Sequence, residues 1–186
     1  MDKRPLILNA MQLRRVTGNS GSLKGRGTVK RKEIYIVLDN VLDTYNIGSV
    51  FRLADALSVR KVYLCGQTET PPNHRIKKAS IDTTEWVEWE YCESALDAVR
   101  KLKIDNGQLT IVAIEQSKNS VPYDKFDYTI PICLIVGNET TGVSKEVLGM
   151  ADAIVELPMF GINISLNVMV CLGIVLYKMI EKKQIE

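Results

Sequence analysis

Three stretches carry polar side chains where a plain fold has no need of them: "NIGSVFR" (46–52), "GNETTGVS" (137–144) and "LPMFGINISLNV" (157–168). Arg52 brings a planar guanidinium whose forked donors match a phosphate. Asn46, at the start of an apolar-striped helix, can cap it, and the free N–H groups of a first helical turn favour an anion. Glu139 stands between Gly137 and Gly142, at the end of an apolar run that closes at Val136. A tight turn requires glycine there but not a carboxylate. Ser165 and Asn167 are the polar exceptions at the head of an otherwise apolar helix. Spacing alone leaves bland readings open: Arg52 as a solvated partner of Asp55, Glu139 as a loop acid, Ser165 as an ordinary helix cap. His74, the one histidine, lies outside these stretches in "PPNHRIKKAS" and is read as a loop residue facing a ligand or solvent.

What would position these groups is a series of alternating strands and helices. Apolar, β-branched runs at 33–40, 61–66, 109–116, 131–137 and 153–159 read as strands, with a more polar sixth at 84–92 suited to an edge. Residues 46–58, 93–103, 144–150 and 165–182 read as helices. Strands apolar on both faces and spaced by helices predict an α/β fold: a mostly parallel six-stranded sheet with helices on both faces. In such sheets ligands sit beyond the C-terminal strand ends, where the loops after Leu38, Val136 and Leu157 fall. Neither G-x-G-x-x-G after the first strand nor a P-loop occurs, which disfavours a dinucleotide or triphosphate.

The chain has 186 residues, enough for one full core, and 46% hydrophobic with 25% charged residues is ordinary for a globular domain. No run is long and apolar enough for a signal peptide or membrane span, so a cytoplasmic protein is expected. Cys65, Cys92, Cys133 and Cys171 are far apart, which argues for reduced, buried thiols and against a metal site. Net charge is +2, yet residues 1–32 alone carry +8, leaving −6 on the rest. That segment reads as a basic arm ahead of one domain at 33–186, its stretch 17–32 rich in Gly and Ser. Arg14, Arg15, Lys24, Arg26, Lys30 and Arg31 are its candidate contacts to a polyanion, nucleic acid first.

In order and spacing the three stretches resemble the three motifs of the SpoU-type RNA 2′-O-ribose methyltransferases, over about residues 33–182. The resemblance implies a C-terminal deep trefoil knot, S-adenosylmethionine as cofactor, and a homodimer packed through the C-terminal helix. It implies cofactor contacts at Gly137, Leu157 and Leu166, with Met159 and Gly161 nearby and the pocket completed near Ile114. Arg52, Asn46, Glu139, Ser165 and Asn167 fall on catalytic or substrate-side positions. Arg52 is expected to hold the target phosphate and orient the hydroxyl. Glu139 and Asn46 would hold the Arg52 region, and Ser165 with Asn167 the cofactor-side loop. The 74–80 segment resembles a substrate loop, adding His74, Arg75, Lys77 and Lys78 as RNA contacts. A short arm in place of a folded RNA-binding domain leans toward tRNA over rRNA. The competing readings are a catalytically silent RNA-binding protein on the same fold and a methyltransferase acting on a base nitrogen.

Overall fold

The computed structural model describes residues 30–181; Arg14, Arg15, Lys24 and Arg26 lie outside the described residues. Arg31–Glu186 forms one unit and Met1–Lys30 another. In the second unit the chain runs β1 (Lys32–Asp39), α1 (Thr44–Ala56), β2 (Val59–Cys65), α2 (His74–Ser80), a 3₁₀ turn (Thr83–Glu85), β3 (Glu88–Cys92), α3 (Ala95–Asp105), β4 (Thr110–Ile114), β5 (Val121–Pro122), β6 (Ile132–Gly137), α4 (Lys145–Leu148), β7 (Ala153–Glu156) and α5 (Val168–Glu181).

The sheet has seven strands in the order β3-β2-β1-β6-β4-β7-β5, and every pair of named strands is parallel. The seventh strand, β5, is two residues long and sits at an edge, where its proline costs no ladder bond. Alternation along β1 shows how both faces are covered. Ile34, Ile36 and Leu38 join one core with α1, Ile76 of α2, and α5; Tyr35 and Val37 join a second with α3 and α4. The expected stripe of α1, Ile47, Val50, Phe51, Ala54 and Leu57, is buried throughout. Strand β3 lies at an edge, in line with its more polar sequence.

Three elements differ from their expected form. Residues 74–80 are a helix, capped by Asn73, whose side chain accepts from the N–H groups of Arg75 and Ile76. Only Ile76, Ala79 and Ser80 of α2 face inward, too short a stripe to stand out among its cations. The 84–92 strand begins only at Glu88, because a 3₁₀ turn occupies its first residues. The last helix, expected from residue 165, starts at Val168; Leu172, Val175, Leu176, Met179 and Ile180 face the core, whereas Val170 and Tyr177 are exposed.

The register sets the site. Asp39, Cys65 and Gly137 stand side by side in adjacent strands, and Cys92 continues the row. The loops after β1 and β6 therefore leave the sheet at one level and as neighbours.

Candidate active site

The loop after β6 is shaped by two glycines. A Cβ on Gly137 would lie 2.1 Å from the Gly142 carbonyl carbon, so the loop folds back directly over its own start. Gly142 has φ +72°, and a Cβ there would meet Glu115 Oε2 at 2.3 Å. Within the loop, Asn138 Oδ1 accepts from Thr140 N–H (2.9 Å) and Thr141 N–H (3.0 Å), while its Nδ2 donates to the Asn40 carbonyl (2.8 Å). Glu139 is thereby presented toward the loop after β1.

There Glu139 does not meet a cation. Its Oε2 accepts from Leu42 N–H (3.1 Å); its Oε1 accepts from Asp43 N–H (3.1 Å) and from Asn46 Nδ2 (3.0 Å). Partial burial pushes its pKa up, but these hydrogen bonds to the ionised form outweigh it, and the carboxyl lies below its ordinary value. The carboxylate thus satisfies donors just ahead of α1, and Asp43 caps the helix by accepting from Tyr45 N–H (2.8 Å). Asn46 is not the cap. It is buried in the first turn, its amide drawn between Glu139 on one side and the third stretch on the other.

The link to that stretch is a hydrogen bond from Asn167 Nδ2 to Asn46 Oδ1 (2.9 Å). Asn167 Oδ1 in turn accepts from Met169 N–H (2.9 Å) and Val170 N–H (3.3 Å), so Asn167, not Ser165, caps α5. The polarity of this chain is forced. Backbone N–H groups only donate and a carboxylate only accepts, so both amides between them can point only one way. One directed relay therefore ties the loops after β6, β1 and β7.

The loops after β6 and β7, with the end of β4, border a cavity of about 530 Å³, and the β1 loop braces them from outside its lining. Ile114, Gly137, Glu139, Leu157, Met159, Ser165, Leu166 and Asn167 line it; Gly161 does not. Missed in the sequence were Glu115, Gln116 and Glu156, which also line it. Glu115 Oε2 accepts from Val143 N–H (2.9 Å), bracing the β6 loop, and Gln116 Nε2 donates to the Ile164 carbonyl (2.6 Å), bracing the last one. A carboxylate directly after the apolar run of β4 was the available signal, the same that marked Glu139.

Arg52 lies on the exposed face of α1, without a hydrogen bond or ion pair to a described residue. Its presumed partner Asp55 instead pairs with Arg31 (3.3 Å). Arg31 also donates to the Trp86 carbonyl (2.8 Å) and the Val59 carbonyl (3.1 Å). Its guanidinium is occupied in joining β1 to the elements beside it, which removes it from the expected RNA-facing cations. Lys30, His74, Arg75, Lys77 and Lys78 are exposed, Lys77 in a loose pair with Asp82 (3.9 Å). Helix α2 packs against α1 through Gly48, where a Cβ would come within 2.5 Å of Ala79 Cβ. The α2 cations and Arg52 thus belong to adjoining helices. Among the described residues, no group of three His, Cys, Asp or Glu could hold a metal, and no helix is long and apolar enough to cross a membrane.

Known proteins are similar to this chain in sequence and in fold. The tRNA (guanosine(18)-2′-O)-methyltransferase of Aquifex aeolicus is 36% identical over 153 residues, 80% of this chain and 69% of that one. The enzyme of the same name from Escherichia coli K12 is 31% identical over 159 residues, 83% of this chain and 66% of that one. This chain thus spans about two thirds of these relatives' length. Among solved structures, the A. aeolicus TrmH/SpoU tRNA modifying enzyme superposes with a TM-score of 0.73 at 34% identity, covering 83% of this chain and 79% of that one. The SpoU methyltransferase AviRb from Streptomyces viridochromogenes, in complex with AdoMet, shares the fold with a TM-score of 0.76 at 23% identity, covering 86% and 64%. The family model described as SpoU rRNA Methylase matches residues 33–177, which hold all three stretches, and the chain belongs to that family.

Proposed function

We propose that this protein transfers a methyl group from S-adenosylmethionine to the 2′-hydroxyl of a ribose in RNA, tRNA in preference to rRNA, as a cytoplasmic homodimer. The observation that carries the reading is the directed relay from α5 through Asn167 and Asn46 to Glu139. It ties the two cavity-lining loops, after β6 and β7, to the β1 loop beside them and fixes the first turn of the helix that presents Arg52.

The residues fit the cofactor. A cavity of about 530 Å³ is of the size small-molecule sites take. Glu115, Glu139 and Glu156 give its wall a negative character suited to a ligand with sulfonium and ammonium cations. Backbone groups at Gly137, Leu157 and Leu166 would hold the donor, with Ile114 and Met159 beside them. When bound, the donor supplies an electrophilic methyl carbon. What the chain must add is alignment, which alone can lower a barrier by roughly 7–11 kcal/mol.

Arg52 holds the phosphate of the target nucleotide and so aims the 2′-oxygen at the cavity. A guanidinium is a poor base, its pKa above about 12. In this reading Arg52 is therefore not the base, and a phosphate oxygen or water would take the hydroxyl proton as the 2′-oxygen is methylated. Glu139, Asn46 and Asn167 act as positioning residues, and Ser165 stands at the cavity wall. Lys30, His74, Arg75, Lys77 and Lys78, with the arm's Arg14, Arg15, Lys24 and Arg26, supply phosphate contacts. These position RNA without reading its bases. The names of the two curated relatives support tRNA as substrate.

The knot and the dimer belong to the same proposal. For the knot, support comes from the last segment, which returns to hydrogen-bond both the end of β4, through Ile164, and α1, through Asn167. For the dimer, support comes from the exposed apolar side chains Phe160, Ile162, Ile164, Leu166, Val170 and Tyr177 on and before α5.

The test is incubation of the purified protein with labelled donor and unmodified tRNA or rRNA transcripts, followed by digestion and nucleoside chromatography. A 2′-O-methylnucleoside from tRNA is expected. A methylated base, or no transfer to any RNA, refutes the reading.

A further inference from the structure

Helix α1 carries a second exposed feature that the chemistry above leaves unused. Tyr45 is 50% exposed, and its hydroxyl has no hydrogen bond to a described residue. Leu42, three residues earlier, is also 50% exposed. Such side chains gain nothing for the core. Scattered singly they would need no explanation, but these two are neither scattered nor loosely held. Glu139 fixes the backbone at Leu42 and Asp43, and Asp43 fixes it at Tyr45. The ring therefore projects from a braced turn whose next residue, Asn46, reaches directly to Glu139 and Asn167 of the cavity wall.

Seven residues separate Tyr45 from Arg52. At 3.6 residues per turn they stand about 20° apart around the axis and about 10 Å apart along it. Tyr45, Ser49 and Arg52 thus form one outward stripe, and the intervening side chains Asn46, Ile47, Val50 and Phe51 are buried. Beside it, α2 is held by the Gly48 contact and adds exposed His74, Arg75 and Lys78. A flat aromatic face at one end of a stripe, an arginine at the other and further cations alongside make the surface a single strand requires: a platform for a base and anchors for phosphates.

We infer that Tyr45, with Leu42 beside it, is a base-stacking platform that seats an unpaired nucleobase of the RNA at the mouth of the active site. The inference rests on the proposed RNA methylation and deepens it, since it names the substrate as unpaired RNA at this point. Because every base has a stacking face, the platform tolerates sequence and acts on position. A protein partner, including a second copy of this chain seated on the same side chains, is the rival occupant that the test separates.

The experiment compares Tyr45→Leu and Tyr45→Trp with wild type, on a tRNA transcript that the wild type methylates. Expected are a KM for RNA raised fivefold or more in Tyr45→Leu, a smaller change in kcat, and recovery in Tyr45→Trp. Affinity for the methyl donor and the sedimentation coefficient should match wild type in both. Photocrosslinking with 4-thiouridine-substituted RNA should label the peptide containing residues 42–45. An unchanged KM in Tyr45→Leu, a label confined to other peptides, or a changed oligomeric state accompanying the loss each overturns the inference. Wild-type transfer to RNA is scored separately, so failure of the platform leaves the proposed activity standing, and failure of the wild type to methylate any RNA strikes the proposed activity first.

Discussion

Replacing Glu139 by glutamine keeps the size of the side chain and removes its ability to accept at both oxygens. In the structure Oε1 serves Asp43 N–H and Asn46 Nδ2, and Oε2 serves Leu42 N–H. With the glutamine oxygen in the Oε1 place, its NH₂ faces the Leu42 N–H, donor against donor. Turned over, it faces Asp43 and Asn46 with donors. Asn46 and Asn167 could then flip in turn, but the mismatch would only move to the N–H groups of Met169 and Val170, which cannot reverse. Every arrangement leaves at least one unsatisfied pair. An unsatisfied donor costs about 1–3 kcal/mol when buried, and Glu139 is on the exposed side, so about 1–2 kcal/mol is the working figure. Expressed as misplacement of the loops in the transition state, that is roughly a five- to thirtyfold fall in kcat. The assay is steady-state methyl transfer to tRNA alongside a double-mutant cycle with Asn46→Ala, where the shared hydrogen bond should appear as non-additivity of about 0.5 kcal/mol or more. Glu139→Gln within twofold of wild type in kcat, with additive effects in the cycle, would refute the relay.

Arg52→Ala should lower kcat/KM for RNA at least tenfold and leave the melting temperature unchanged, because the side chain is exposed without a partner among the described residues; methylation within threefold of wild type would remove Arg52 from the mechanism. Arg31→Ala should do the reverse, lowering stability by about 1–3 kcal/mol in denaturant melts while RNA affinity changes little, since its guanidinium serves Val59, Trp86 and Asp55. Gly48→Ala adds a methyl that meets Ala79 Cβ at 2.5 Å and the Ile76 carbonyl at 2.7 Å. Overpacking of this kind costs about 1–3 kcal/mol, more than the helix propensity gained, so urea melts should show net destabilisation. The Glu139 carboxyl sits below its ordinary 4.5, so its contribution is complete above that value and is lost as pH falls through the lowered one. The melting difference between wild type and Glu139→Gln should therefore be constant above about pH 5 and close as the pH falls below 4.5 through the lowered pKa.

The features legible in the sequence were those that burial writes into long patterns. Continuous apolar runs gave β1, β2, β4 and β6, and the stripe from Ile47 to Leu57 gave α1 and its hidden face. Glu139 stands out because a carboxylate after a buried strand demands a partner, and it does hold the head of the Arg52 helix. The donors it takes, Leu42 N–H, Asp43 N–H and Asn46 Nδ2, lie nearly a hundred residues away in sequence, and no local pattern names them. Two elements were too short to leave a pattern: β5, with two residues, and α2, whose inward face is three residues among four cationic or titratable ones. Caps were misplaced by the same cause at both helices. Asn46 and Ser165 suit the position, but Asp43 and Asn167 hold it, because Asn46 is drawn into a contact 121 residues away in sequence. No local rule contains such a partner. Gly48 likewise has no local signal, because the contact that requires a glycine there is made by α2.

The most direct measurement is a crystal structure of the full chain grown with S-adenosylmethionine or its demethylated product. Density for the ligand should fill the cavity against the backbone of Gly137, Leu157 and Leu166, with the Glu139–Asn46–Asn167 relay intact and Arg52 presented at its open side. Those three loops bare of ligand, with the donor bound elsewhere or nowhere, would contradict the account.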